Sequence, residues 1–265
     1  MLTVWNNIVF FALLITVGFR ATLTNAAEVE MSRELHVALK GLNDTSDSKA
    51  AGDKRNVAAQ VLRHWVSSKM ILHTGKDILE VLAKEMPVST NESTLNWSQR
   101  LNDQNHGQNP RIVAIQWSNG TKEVLGIRID SVENESRYPG YFVSALPFLL
   151  ARDGTNVSIY FLEDSRYKFL GANAYTFQGL VKQNKPGEFP DILLTAGPVG
   201  SGGYVYWIQL HPDVNQGWKL SWEYSCPYVS NIDYRPEANT LIVEYHPDRF
   251  DPEIRHATNI LTNGK

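Results

Sequence analysis

Across residues 88–110, VSTNESTLNWSQRLNDQNHGQNP, the spacing of apolar side chains changes from every three or four residues to every second one. The first period gathers apolar groups on one face of a helix, the second on one face of a strand. A chain that switches once and stays switched is restricted to an α+β architecture, with helices first and an antiparallel sheet after them. The expectation is a short N-terminal helical segment of two or three helices, residues 27–87, packed on a large antiparallel β-sheet or meander domain, residues 111–265. Residues 88–110 form the polar loop that joins them.

Within the helical part, EVEMSRELHVALKGL sets Met31, Leu35, Ala38 and Leu42 at helical spacing, and NDTSDSKAAGDK interrupts the pattern. NVAAQVLRHWVSSKMIL then carries Val57, Val61, Trp65, Ser68 and Ile71 or Leu72 along one stripe. A third helix starts at Thr74, whose hydroxyl is placed to cap it with Asp77 answering from the third helical position. Ile78, Leu79, Leu82 and Ala83 give that helix its buried face, and Pro87 stops it.

In the sheet part, RIVAIQW and EVLGIRID flank Asn119-Gly120, the strongest short hairpin signal. A second hairpin turns at Arg152-Asp153-Gly154, its first strand limited to an edge or a bulge by Pro147. In WKLSWEY, Trp218, Leu220, Trp222 and Tyr224 alternate with Lys219, Ser221 and Glu223, the pattern of a half-buried antiparallel strand. NIDY and TLIVEY make one more hairpin about Arg235–Asn239.

The stretch TAGPVGSGGYVYWIQL, residues 195–210, tests this reading, because four glycines after an apolar run resemble a phosphate loop. A phosphate loop needs a helix after the glycines, so that its amide dipoles meet the anion, and commonly a Lys beside them. A strand pattern follows here, and the nearest downstream lysine is Lys219. A nucleophile elbow about Ser201 fails too, since Val199 stands where its first glycine belongs. The run is expected to be a turn between strands.

The N-terminus indicates export. Ile8–Phe19 is an unbroken apolar run of twelve residues, followed by small residues up to Ala26. A membrane-spanning helix needs about 20 apolar residues, so residues 1–26 are expected to be a signal peptide cleaved after Ala26, leaving a secreted or periplasmic chain without a transmembrane segment. Its loss takes Arg20 and moves the net charge from −3 to −4, a balance that offers nucleic acid no basic face. The single cysteine, Cys226, forbids an intrachain disulfide, which suits a bacterial envelope. Six Asn-x-Ser/Thr triplets, at Asn43, Asn91, Asn96, Asn119, Asn134 and Asn156, would mark surface positions in a glycosylating pathway.

No catalytic motif is assembled in the sequence, and none calls for a cofactor. His-Pro-Asp occurs twice after strand patterns, at His211 and at His246, which makes those histidines candidate metal ligands. The alternative is that proline ends a strand and Asp opens a turn. Cys226 is a candidate nucleophile or a small buried hydrophobe. Glu188, Asp191, Glu223, Asp233 and Glu244 are the carboxylates from which a glycan-cleaving pair would be drawn.

The clearest excess is aromatic: Tyr204, Tyr206, Trp207, Trp218, Trp222, Tyr224, Tyr228, Tyr234 and Tyr245 crowd into one part of the chain. Such rings either fill a core or stack on a partner. The leading expectation is non-catalytic binding of a carbohydrate or protein partner by an aromatic β surface, with Tyr204, Tyr206 and Trp207 as contact residues. The alternative is a secreted hydrolase of glycan or peptide, built on His, Asp and Glu at strand ends.

Overall fold

The structure, a computed structural model, describes residues 29–42, 48–90, 110–133, 141–162, 175–182, 187–196 and 204–261. The expected signal peptide and the glycine turn itself, 197–203, lie outside the described residues, as do Asn43, Asn91, Asn96 and Asn134. Asn119 and Asn156 are exposed. No helix among the described residues is long and apolar enough to cross a membrane.

Among the described residues three helices come first: α1 (Arg33–Gly41), α2 (Ser48–Lys69) and α3 (Gly75–Ala83). Ser32 caps α1, its hydroxyl accepting from the Leu35 amide at 3.2 Å. The α3 start is the capping box expected from the sequence. Thr74 accepts from the Asp77 amide at 3.2 Å, and the Asp77 carboxylate accepts from the Thr74 amide at 3.1 Å. The Thr74 hydroxyl also donates to that carboxylate at 2.7 Å, and this bond, with the one from the Thr74 amide, holds the Asp77 carboxyl below its ordinary range.

The middle helix departs from the expected pattern in two ways. It begins at Ser48, inside the stretch read as a break. Its buried stripe is Ala58, Leu62, Trp65, Val66 and Met70, whereas Val57, Ile71 and Leu72 are exposed. The buried stripe is offset by one residue from the expected one: Val57 is apolar but faces solvent, and Ala58 and Ala59 are buried beside it. In the last helix Ile78, Leu79 and Leu82 are buried as expected and Ala83 is exposed.

The described residues after them form three sheets of mostly antiparallel strands. The first contains β1 (Val88–Ser89), β2 (Arg111–Asn119), β3 (Lys122–Glu133), β4 (Tyr141–Asp153) and β5 (Asn156–Phe161), in that order. Its two-residue β1, at the start of the expected loop, pairs parallel with β2. The second contains β6 (Tyr175–Val181), β7 (Asp191–Ala196), β8 (Tyr204–His211) and β9 (Lys219–Pro227). The third contains β10 (Val229–Arg235), β11 (Thr240–Tyr245) and β12 (Arg255–Ile260), the last of which no apolar alternation announced.

Turn chemistry sets the registers. Asn119 pairs with Lys122 and Asp153 with Asn156, and the glycine that opens each two-residue turn, Gly120 or Gly154, has φ near +60°. Pro147 lies in an interior strand, and the β3–β4 ladder slips between Ile127 and Ile129 opposite it, which is the bulge a ladder proline demands.

The sheets are stacked. Ile112, Leu125, Ile127 and Leu150 of the first sheet are buried on the side where α2 and α3 lie against β3 and β4. Val113, Val124, Leu149 and Ala151, on its other face, share a core with Phe177, Ile192, Leu194, Ile208 and Leu210 of the second. The second sheet's remaining face, with Leu193, Val205 and Trp207, shares another core with Tyr234, Leu241 and Val243 of the third. Apart from the parallel β1, the strands of each sheet run up and down in sequence order, and each sheet shares a core with the next.

Polar groups fasten the layers. The Glu123 carboxylate on β3 is 3 % exposed; it accepts from the Gly75 amide at the start of α3 and pairs with Arg152 at 3.0 Å. Arg152 also donates to the Met70 carbonyl at 3.3 Å. Between the second and third sheets, the Tyr234 hydroxyl donates to the Leu180 carbonyl at 3.0 Å while its ring lies against Gly179.

Candidate functional site

Strand β8 follows the glycine run directly and pairs antiparallel with β7, from Ile192 opposite Leu210 to Ala196 opposite Tyr206. The stretch 195–210 therefore spans a hairpin, and no helix follows the glycines.

Alternation along β8 divides the three aromatic residues singled out in the sequence. Trp207 has 0 % exposure and packs between the second and third sheets, against Tyr224 with ring centroids 5.8 Å apart. It has no surface to offer a partner. The expectation that it is a contact residue is corrected: it is core, because the sheet containing it is covered on both faces. Tyr206 points to the opposite side and is half-buried against the core shared with the first sheet. Tyr204 opens the strand opposite Pro227.

The neighbouring strand places other rings at the edge of the sheet, half-buried. Between Gln209 and Leu210 the β8–β9 register slips, because Gln209 pairs with Trp222 and Leu210 with Leu220, leaving Ser221 as an extra residue. This bulge breaks the strict alternation expected over Trp218–Tyr224. Trp218 packs on the core shared with the first sheet, whereas Trp222 and Tyr224 pack on the core shared with the third. Leu220, 43 % exposed, is outside both. Trp222 and Tyr224 are half-buried on an edge strand, with ring centroids 6.1 Å apart and planes inclined by only 15°. Tyr245, also half-buried, packs on the same core. Burial, with Cys226 and Tyr245 nearby, raises the Tyr224 phenol above its usual range.

A second constellation gathers around Asp191 at the start of β7. The Asp191 side chain is 1 % exposed. One carboxylate oxygen lies 2.7 Å from His211 Nδ1; the other accepts from Gln209 Nε2 at 2.6 Å and Ser221 Oγ at 2.7 Å. The imidazole is 39 % exposed. The hydrogen bond to Asp191 raises the His211 pKa, desolvation opposes it, and the charges of Asp191, Asp213 and Glu188 reinforce it. Sequence reasoning named His211 and Asp191 separately but not as partners. The β7–β8 register brings them together, and the glycine run alone does not fix that register.

His246, just past β11, occupies a separate setting, with Nδ1 2.9 Å from the Asp251 carbonyl. Among the described residues no three or more His, Cys, Asp or Glu are grouped as a metal ion would require. The His-Pro-Asp repeats have turn chemistry in common instead. Asp213 accepts from the Asn215 and Gln216 amides at 3.0 Å, and Asp248 accepts from the Phe250 amide at 2.8 Å. Those amides and Lys219 hold the Asp213 carboxyl below its ordinary range.

Cys226 is buried, and desolvation pushes its thiol up to about 12, so at neutral pH it holds its proton and lacks the thiolate a nucleophile needs. The candidate carboxylates are distributed over separate strands: Asp191 on β7, Glu223 on β9, Asp233 on β10 and Glu244 on β11. Asp233 is bound to Arg235 at 2.8 Å, and Glu244 is 3.6 Å from His256.

The chain matches no protein-family model, no curated protein and no solved structure.

Proposed function

We propose that this is an exported, non-catalytic binding protein that holds carbohydrate on the aromatic seam formed by Trp222 and Tyr224, with Tyr245 behind them. The observation that carries the reading is the near-parallel, half-buried Trp222–Tyr224 pair on an edge strand. Flat ring faces with polar tips suit a sugar, whose apolar face can stack while its hydroxyl rim stays wet. A fully buried pair would be core packing; this one keeps part of each ring at the surface. Residues 1–26 carry the export reading, and N-terminal sequencing of the secreted chain should begin at Ala27.

Affinity electrophoresis of the full chain through gels containing soluble polysaccharides tests the binding. Retardation by at least one glycan, lost in Trp222→Ala and kept in His211→Ala, is the expected result. No retardation by any glycan, or retardation indifferent to Trp222→Ala in a variant with unaltered circular dichroism, would count against it.

A second reading is favoured by the 2.7 Å contact of Asp191 with His211. A buried carboxylate that receives Nδ1–H fixes the tautomer and leaves the other nitrogen free to accept a proton, the arrangement of a general base. Under that reading His211→Ala abolishes hydrolysis of a glycan or peptide substrate, and Trp222→Ala affects only its binding.

A further inference from the structure

The third sheet has three strands where the second has four. In the first two sheets the last strand lies outside the one before it, β5 beside β4 and β9 beside β8. β12 is the outermost strand of its sheet in the same way, and no strand lies beyond it among the described residues. A free edge presents a row of unpaired amides and carbonyls, which is a template for another strand.

This edge has few of the features that keep free strands apart. The β11–β12 ladder runs through six consecutive pairs without a register shift, so no bulge twists it away. No proline interrupts Arg255–Ile260, and the strand's charge is confined to its first two residues. Phe250, Ile254 and Ile260 around it are 86 %, 50 % and 69 % exposed. Large apolar groups held in water beside an unpaired edge indicate a surface that becomes covered.

The sequence of the edge is complementary to itself. Ile254 and Ile260 stand three residues either side of Ala257. Antiparallel pairing about a two-fold axis at Ala257 sets Ile254 opposite the partner's Ile260, Arg255 opposite the partner's Asn259 and His256 opposite the partner's Thr258. Like charges do not meet, and two isoleucine pairs close on one face. That face is the outer one, because Leu261, two residues beyond Asn259, is buried in the core on the other side. Cross-strand apolar pairs of this kind stabilise a ladder.

We infer that a second copy of this chain pairs with β12, joining two three-stranded sheets into one of six across a two-fold axis. The contact is isologous and closes on itself, so it makes a dimer and not a fibre.

Sedimentation velocity on the full chain, from about 1 µM to 500 µM, tests the inference, since edge pairing with a small area gives modest affinity. A concentration-dependent dimer is expected, weakened at least tenfold by Ile254→Lys alone and by Ile260→Glu alone. Combining Ile254→Lys with Ile260→Glu in one chain restores it, because each lysine then meets the partner's glutamate. A monomer at every concentration overturns the inference. So does a dimer indifferent to both single substitutions, or a monomer in which the β12 amides that face away from β11 resist hydrogen exchange, which would place an intramolecular strand at the edge.

Discussion

At the scale of single residues, a half-buried imidazole is fixed by a carboxylate that is itself 1 % exposed. Asp191 holds His211 above its ordinary pKa. The pairing therefore stabilises the fold fully below about pH 6.5, where an unfolded histidine is also charged, and loses that effect as pH rises through the raised native value. The melting-temperature difference between the wild type and His211→Gln should be widest near pH 6 and narrow towards pH 8.5. In Asp191→Asn the His211 resonance, followed by NMR, should titrate at lower pH than in the wild type. Gly179 makes a different demand. A Cβ there would come within 2.6 Å of the Tyr234 ring, so Gly179→Ala should force the second and third sheets apart and lower stability by about 1–3 kcal/mol in chemical denaturation.

At the scale of elements, what was legible in the sequence was what local chemistry decides. Thr74 and Asp77 announced the capping box, and Asn119-Gly120 and Asp153-Gly154 announced their hairpins, because each signal is complete within a few residues. Thr74→Ala should cost about 1 kcal/mol in urea denaturation, since the first turn of α3 then loses a hydrogen-bond acceptor. Features settled by neighbours were not legible. The bulge at Ser221, which turns Trp218 and Trp222 to opposite sides of the sheet, depends on the β8 strand it pairs with. Strand β12 is drawn into the sheet by β11, although its own residues read as polar. The partnership of Asp191 and His211 required the hairpin register, which the glycine run alone did not fix.

At the scale of the whole molecule, the switch of hydrophobic period gave the α+β class, but not the division of the strands into three stacked sheets. A sheet covered on both faces needs apolar residues at successive positions, and the second sheet has them in Ile192, Leu193 and Leu194, within a strand whose six residues are all buried. The same stacking decides which rings stay available. Trp207 lies in the middle layer and becomes structural, so Trp207→Ala should cost about 3–5 kcal/mol of stability. Trp222 and Tyr224, at the edge of that layer, are half open. The most direct test of this division is hydroxyl-radical footprinting of the full chain, read by mass spectrometry with and without a retained glycan. The account predicts rapid oxidation of Trp222 and Tyr224, suppressed by glycan, with Trp207 protected in both states; oxidation of Trp207 at a rate equal to Trp222, or rings at the seam that glycan leaves unshielded, would contradict it.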